Sequence, residues 1–104
     1  MKLKVEAAQR LKDKVAIVTG GGGTNSMGRS IGIRFAEEGA KVAVTDIDGP
    51  SAVLVADEIK AGGGTAIAIT CDVTDFAQCE AMAKTVAEAW DGKIDILVNN
   101  AGAF

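Results

Sequence analysis

Four short apolar runs recur along this 104-residue chain, each separated from the next by a longer segment with helical periodicity. Val15 to Thr19 (VAIVT), Lys41 to Asp46 (KVAVTD), Thr65 to Thr70 (TAIAIT) and Lys93 to Val98 (KIDILV) are rich in β-branched residues and apolar nearly throughout. A half-exposed strand would alternate apolar with polar; continuous runs of this length belong to strands buried on both faces, as in a parallel sheet. Parallel neighbours need crossover connections, and the intervening segments supply them. Met27, Ile31 and Phe35 recur at four-residue spacing before Gly39, a plausible helix C-terminal cap. Pro50 suits the first turn of a second helix carrying Leu54, Val55 and Ile59, ended by Gly62-Gly63-Gly64. Asp75 is placed to cap a third helix with Cys79, Met82, Val86 and Trp90 on its buried side.

The pattern is strand, helix, strand, helix, strand, helix, strand. It predicts an α/β fold of the Rossmann type, a doubly wound parallel sheet with right-handed crossovers and strand order 3-2-1-4 in this half. The length suits one small domain. Residues 1–10 read as a solvated N-terminal extension and residues 11–104 as the folded unit.

"GGGGTNSMGRS", Gly20 to Ser30, sits between the first strand and the first helix. Free N–H groups and the positive dipole end of a helix meet there, and glycines let a pyrophosphate approach the backbone. Two phosphate ligands compete for this loop. Gly23 to Ser30 nearly spells the P-loop motif G-x-x-x-x-G-K-[ST] of triphosphate binders, with Arg29 where lysine belongs. Arginine is a poor substitute for that compact point charge. Asp46, 26 residues after Gly20 at the end of the second strand, favours a dinucleotide. A carboxylate there accepts hydrogen bonds from the adenosine ribose hydroxyls and repels the extra phosphate of NADP, so NAD is expected over NADP. Asp72-Val73 follows the third strand, where it can frame an adenine edge or simply make a turn. Asn99-Asn100-Ala101-Gly102 follows the fourth, where asparagines can satisfy loose backbone groups while Ala and Gly leave room for a ribose.

These residues together resemble the N-terminal, cofactor-binding half of the short-chain dehydrogenase/reductase (SDR) family. The resemblance rests on Arg10 to Gly20, Met27 to Gly32, Asp46, Cys71-Asp72-Val73 and Leu97 to Gly102, and it spans about residues 10–104. It implies that Gly20, Ser26, Met27 and Gly28 wrap the pyrophosphate and adjacent sugars. It implies that Asp46 holds the adenosine ribose, with Ile47, Asp72 and Val73 at the adenine. Asn100, Ala101 and Gly102 would line the ribose side, and Asn99 would brace the central strands. The activity implied is NAD(P)-dependent oxidoreduction, with hydride passing between nicotinamide and an alcohol or ketone carbon. Relatives of this kind are commonly dimers or tetramers, so a homo-oligomer is expected.

Two departures from the family pattern stand out. The family loop is T-G-x-x-x-G-x-G, whereas Thr19-Gly20 and Met27-Gly28 here are separated by two extra residues. Counted without a gap, Gly20-x-x-x-x-x-Ser26 resembles the loop of the enoyl-thioester reductase branch; the Asn-Asn-Ala-Gly run favours the main branch. The family's catalytic Ser, Tyr and Lys lie in a second half, and this chain contains neither Tyr nor His. The expectation is therefore a truncated chain with no catalytic residue of its own, inactive alone, whose fourth strand forms an apolar sheet edge. A free-standing, non-catalytic nucleotide-binding module is the alternative.

The net charge of −3 gives no basis for nucleic-acid or membrane-surface binding. No apolar run approaches the roughly 20 residues of a membrane span. Cys71 and Cys79 make no disulfide framework or metal pattern, so no metal is expected and a reduced, cytoplasmic setting fits.

Overall fold

The computed structural model describes residues 9–23 and 26–101. Its elements are β1 (Val15–Thr19), α1 (Met27–Glu37), β2 (Lys41–Asp46), α2 (Gly49–Ala61), β3 (Thr65–Thr70), α3 (Phe76–Ala89) and β4 (Ile96–Val98). All the strand pairings are parallel and the order is β3-β2-β1-β4, the arrangement expected from the sequence.

Strand pleating divides the apolar runs between two faces. Val18, Val42, Val44 and Ala66 pack beneath α1 and α2, against Ile33, Ala36, Ala52, Val55 and Ile59. Val15, Ile17 and Ala43 point to the opposite face, where Met82 and Val86 of α3 and Cys71 cover them. Both faces of β1 and β2 are thus closed, which is why their sequences carry no polar alternation. Each fully buried Val or Ile side chain contributes about 1.5–3 kcal/mol of burial free energy.

The helices begin where the sequence offers caps. Asp48 accepts the Ser51 N–H at the start of α2, with Pro50 in the first turn. Asp75 accepts the Ala77 and Gln78 N–H groups at the start of α3. Ser26 caps α1 by accepting the Arg29 N–H. Gly39 has φ +91°, the left-handed conformation that glycine adopts cheaply after a helix.

Three expectations need correction. Gly28, Gly32, Ile33 and Ala36 face the sheet on α1, while Ile31 and Phe35 only flank the core and Met27 is 72% exposed. The helix lies close enough to the sheet that small residues occupy its nearest face. On α2 the buried stripe is Ala52, Val55, Ala56 and Ile59, and Leu54 points outward. The fourth strand begins at Ile96 instead of Lys93. Asp95 meets β1 first: its N–H donates to Val15 O (2.9 Å) and its carboxylate accepts the Val15 N–H (2.8 Å), a side-chain bond in place of a ladder bond.

The segment before β1 is tied to the end of α1. The Arg10 N–H donates to Glu38 Oε1 (2.9 Å), the Leu11 N–H donates to Glu38 O (2.8 Å), and Leu11 packs on the core. Residues 1–8 of the expected extension lie outside the described residues.

Candidate functional site

Because the strands are parallel, all four carboxyl ends meet along one edge. The chain runs outward from β1 to β2 to β3, then returns to place β4 on the other side of β1. The strand order therefore reverses between β1 and β4, and sheets of this kind usually bind their ligand in a crevice beyond the strand ends at that point.

The glycine loop leaves β1 at this crevice. Gly20 has φ +63°, and a Cβ there would stand 2.9 Å from Ala101 Cα, so the turn is both left-handed and tightly enclosed. The next two residues are tied to β2: the Gly21 N–H donates to Thr45 O (2.9 Å) and the Gly22 N–H to Asp46 Oδ2 (3.0 Å). The Ser26 hydroxyl donates back to Gly22 O (2.6 Å) while accepting the Arg29 N–H (3.0 Å). Helix geometry leaves the N–H groups of Met27 and Gly28 without intrahelical acceptors.

Thr19 knits this loop to the exit of β4. Its buried hydroxyl donates to Val98 O (3.1 Å) and accepts the N–H groups of Asn100 (3.0 Å) and Ala101 (3.1 Å). Asn100 Nδ2 donates to Gly20 O (3.0 Å). Gly28 fits against the same carbonyl: a Cβ there would overlap Gly20 O and stand 2.6 Å from Asn100 Nδ2. Gly20, Gly28, Asn100 and Ala101 thus form one knot. Thr19 is the functional residue that sequence reasoning left without a role. A threonine ending a buried strand beside a glycine turn was the available signal, since a hydroxyl there must find partners. The Asn100 side chain turns to the loop, while Asn99 is exposed.

Asp46 stands at the β2 end of the crevice, its two carboxylate oxygens accepting N–H groups from Gly22 and from Asp48 (3.0 Å each). Ile47 beside it is 68% exposed and Val73, after β3, is 44% exposed, two apolar side chains at the rim with little protein over them. Asp72 Oδ1 accepts the hydroxyl (2.7 Å) and N–H (2.9 Å) of Thr74, and these bonds hold its carboxyl below the usual range. Gly102 lies outside the described residues.

Arg29 does not face the loop. Its guanidinium meets Glu58 of α2 through Nε (3.0 Å) and Nη2 (2.5 Å), and this bond raises the arginine pKa and lowers the glutamate's. The residue that the triphosphate reading needs at a phosphate is engaged between two helices.

An apolar cleft of about 420 Å³ opens beside the crevice on the α3 face, lined by Ile17, Thr19, Val73, Cys79, Met82, Leu97 and Asn99 among others. Leu97 in β4 is 53% exposed. Cys71 is buried, and burial, followed by the nearby Cys79, pushes its thiol pKa up. Such a thiol is a packing group and a poor nucleophile. Among the described residues no group of acidic, His or Cys side chains is arranged to hold a metal ion.

These features fit a dinucleotide. The loop offers backbone N–H groups at a helix N-terminus, Gly20 and Gly28 admit no Cβ, a carboxylate stands at the end of β2, and exposed apolar side chains lie beyond β2 and β3.

Known proteins carry the same construction. The family model described as "short chain dehydrogenase" matches residues 14–104. The chain is 46% identical over 93 residues to 7alpha-hydroxysteroid dehydrogenase of Escherichia coli K12, covering 89% of this chain and 35% of that protein. It is also 46% identical over 95 residues to galactitol 2-dehydrogenase of Agrobacterium fabrum, covering 91% and 35%. A crystal structure of hydroxysteroid dehydrogenase from Escherichia coli superposes with a TM-score of 0.84 at 44% identity, over 92% of this chain and 40% of that one. A structure of 7 alpha-hydroxysteroid dehydrogenase complexed with NADH and 7-oxo glycochenodeoxycholic acid gives a TM-score of 0.84 at 45% identity, over 92% and 36%. The chain thus spans little more than a third of the length of these relatives.

Proposed function

The chain belongs to the short-chain dehydrogenase family, and from that premise we propose that it forms the dinucleotide-binding half of an NAD(H)-dependent oxidoreductase acting on an alcohol or ketone. The knot of Thr19, Gly20, Gly28 and Asn100 carries this reading, because it holds a glycine turn open at the N-terminus of α1. Gly20, Ser26, Met27 and Gly28 hold the pyrophosphate and adjacent sugars. Asp46 holds the adenosine ribose, Ile47, Asp72 and Val73 take the adenine, and Asn100, Ala101 and Gly102 line the ribose side. When bound, the nicotinamide ring delivers or accepts a hydride at the substrate carbon.

The chain's own residues bind and orient. Reduction of a carbonyl also needs a positioned proton donor, and the sequence has no Tyr or His to serve. Asp46 and Asp72 lie on the β2 and β3 side of the sheet edge, the adenosine side in this reading. We assign proton transfer to residues beyond this sequence. The 104 residues alone are expected to bind ADP-ribose and NAD about equally and to turn over neither alcohols nor ketones. A homo-oligomer in a reducing cytoplasmic compartment suits the family and the two free thiols. No helix among the described residues is long and apolar enough to cross a membrane.

The test is cofactor choice. A 2′-phosphate against the Asp46 carboxylate should cost at least about 2 kcal/mol, roughly thirtyfold in affinity. The protein, expressed with its natural flanking sequence, should therefore show kcat/KM for NAD(H) well above that for NADP(H). Equal efficiency with both would sink the reading, as would tight magnesium-ATP binding that depends on Arg29.

A further inference from the structure

Asp46 does something besides facing a ribose. Its Oδ2 accepts the Gly22 N–H and its Oδ1 accepts the Asp48 N–H, both at 3.0 Å. The Asp48 carboxylate in turn accepts the Ser51 N–H at the start of α2 (3.3 Å). One carboxylate therefore joins the middle of the glycine loop to the turn that launches α2. The loop is pressed home at the same place: a Cβ on Gly22 would overlap the Ser51 hydroxyl and stand 2.9 Å from Ser51 C and 3.0 Å from Ala52 N. The Ser26 hydroxyl closes the turn from the other side by donating to Gly22 O (2.6 Å).

We propose that Asp46 is a positioning residue as well as a ribose acceptor: it latches Gly22 against β2 and α2, so the phosphate cradle is set before a nucleotide arrives. The reason is energetic. A glycine-rich segment loses more conformational entropy on ordering than any other, and a loop ordered only by its ligand would subtract that cost from binding. A bond from a backbone N–H to an ionised carboxylate is stronger than a neutral one. The consequence for cofactor choice rests on the dinucleotide reading. Removing the Asp46 carboxylate should weaken NADH and NADPH together, in addition to narrowing the ratio between them, because the cradle loosens for both.

Two measurements separate the latch from the ribose contact. The first is amide hydrogen exchange in the ligand-free protein, expressed with its natural flanking sequence, with central-strand amides as the reference. In Asp46→Ala the Gly22 amide should exchange at least about tenfold faster while the strand amides do not change. The second is titration with ADP and with 2′,3′-dideoxy-ADP, which lacks the ribose hydroxyls. A latch predicts that Asp46→Ala weakens both ligands; a pure ribose acceptor predicts loss for ADP only. Gly22→Ala, which lifts the loop from Ser51 while leaving the carboxylate in place, should weaken both as well, and it serves where Asp46→Ala folds poorly. Unchanged Gly22 exchange in Asp46→Ala, or dideoxy-ADP binding that is indifferent to both substitutions, overturns the latch. Faster Gly22 exchange in a protein whose wild type binds neither nucleotide leaves the latch standing and removes the dinucleotide reading instead.

Discussion

Replacing Gly28 by Ala adds one methyl group at the tightest point of the crevice. Built on the existing backbone, that methyl carbon overlaps Gly20 O and stands 2.6 Å from Asn100 Nδ2 and 2.9 Å from Gly20 C. None of these atoms can yield singly. Gly20 is confined by Ala101, and Asn100 Nδ2 is held by the same carbonyl at 3.0 Å. The start of α1 must therefore move away from the loop. Overpacking of this kind costs about 1–3 kcal/mol. Losing the Asn100–Gly20 hydrogen bond adds about 1 kcal/mol. The better helix propensity of Ala returns about 0.5–1 kcal/mol, for a net loss of about 1–3.5 kcal/mol. A domain stable by about 5–15 kcal/mol survives that, with a Tm lowered by about 4–8 °C per kcal/mol at this size. Because the displaced groups form the cradle, ADP-ribose affinity should fall more than about tenfold. Gly32→Ala is the control one turn along. Its Cβ would meet only Val42 Cγ1 at 3.7 Å, an ordinary contact, so stability should rise by about 0.5–1 kcal/mol with binding unchanged. Thermal unfolding followed by circular dichroism and calorimetric titration with ADP-ribose read both effects. A Gly28→Ala protein with wild-type Tm and affinity, or a Gly32→Ala protein equally damaged, would refute the reasoning.

Thr19→Val should cost about 1–3 kcal/mol, since it leaves the Ala101 N–H without its acceptor and the Asn100 N–H with Val98 O alone, and Thr19→Ser should recover most of that; a urea titration of both variants checks it. Arg29→Ala and Glu58→Ala should each cost no more than about 1 kcal/mol, because the pair is a quarter to a third exposed, and a double-mutant cycle should return a coupling of that size while ADP-ribose affinity holds. Acid should weaken the fold. Glu38, Glu58 and Asp95 are held below their usual range by the Arg10 N–H, by Arg29 and by the Val15 N–H respectively. Their stabilisation is complete above the unfolded values of about 3.9–4.3 and is lost as pH falls through the lower folded values. The urea midpoint should therefore fall below about pH 4, and a midpoint that rose on acidification would contradict the assignment.

The sheet was legible because β1 and β2 are buried on both faces, and double burial writes itself as an unbroken apolar run; β3 carries a similar run, but as an edge strand it is mostly half-buried, so its expected burial on both faces is corrected. Strand order followed from the alternation with helices, since parallel neighbours and right-handed crossovers leave few arrangements. The helix faces were harder to read. Met27 and Leu54 are large and apolar, so they dominated the four-residue spacing, yet both point outward. The sheet-facing positions include Gly28, Gly32, Ala36, Ala52 and Ala56, whose burial leaves only a weak hydropathy signal. The start of β4 escaped for another reason. Ile94 and Ile96 continue the strand-like run through Lys93 to Val98, and only the tertiary bond between Asp95 and Val15 shows where the ladder begins.

The site was legible as a set of positions and less so as a set of contacts. Glycines in a phosphate loop suggest space left for a ligand, but Gly20 and Gly28 first admit each other and the Asn100–Ala101 segment. Their small size is an internal packing requirement that also leaves backbone N–H groups clear. Two extra residues between Thr19-Gly20 and Met27-Gly28 set this loop apart from the family spacing. Sequence alone could count them without saying where the surplus chain goes. In the structure both ends of the loop stay where the knot needs them: Gly20 is pinned by Asn100, Gly28 rests on Gly20, and Ser26 caps α1. The middle leans sideways instead, with Gly21 and Gly22 bonded to Thr45 and Asp46 and Gly22 seated on Ser51. The described start of the loop is thus tied to β2 and α2. That contact brings Gly22 to the carboxylate expected to choose the cofactor, so the placement of the loop and that carboxylate are physically joined.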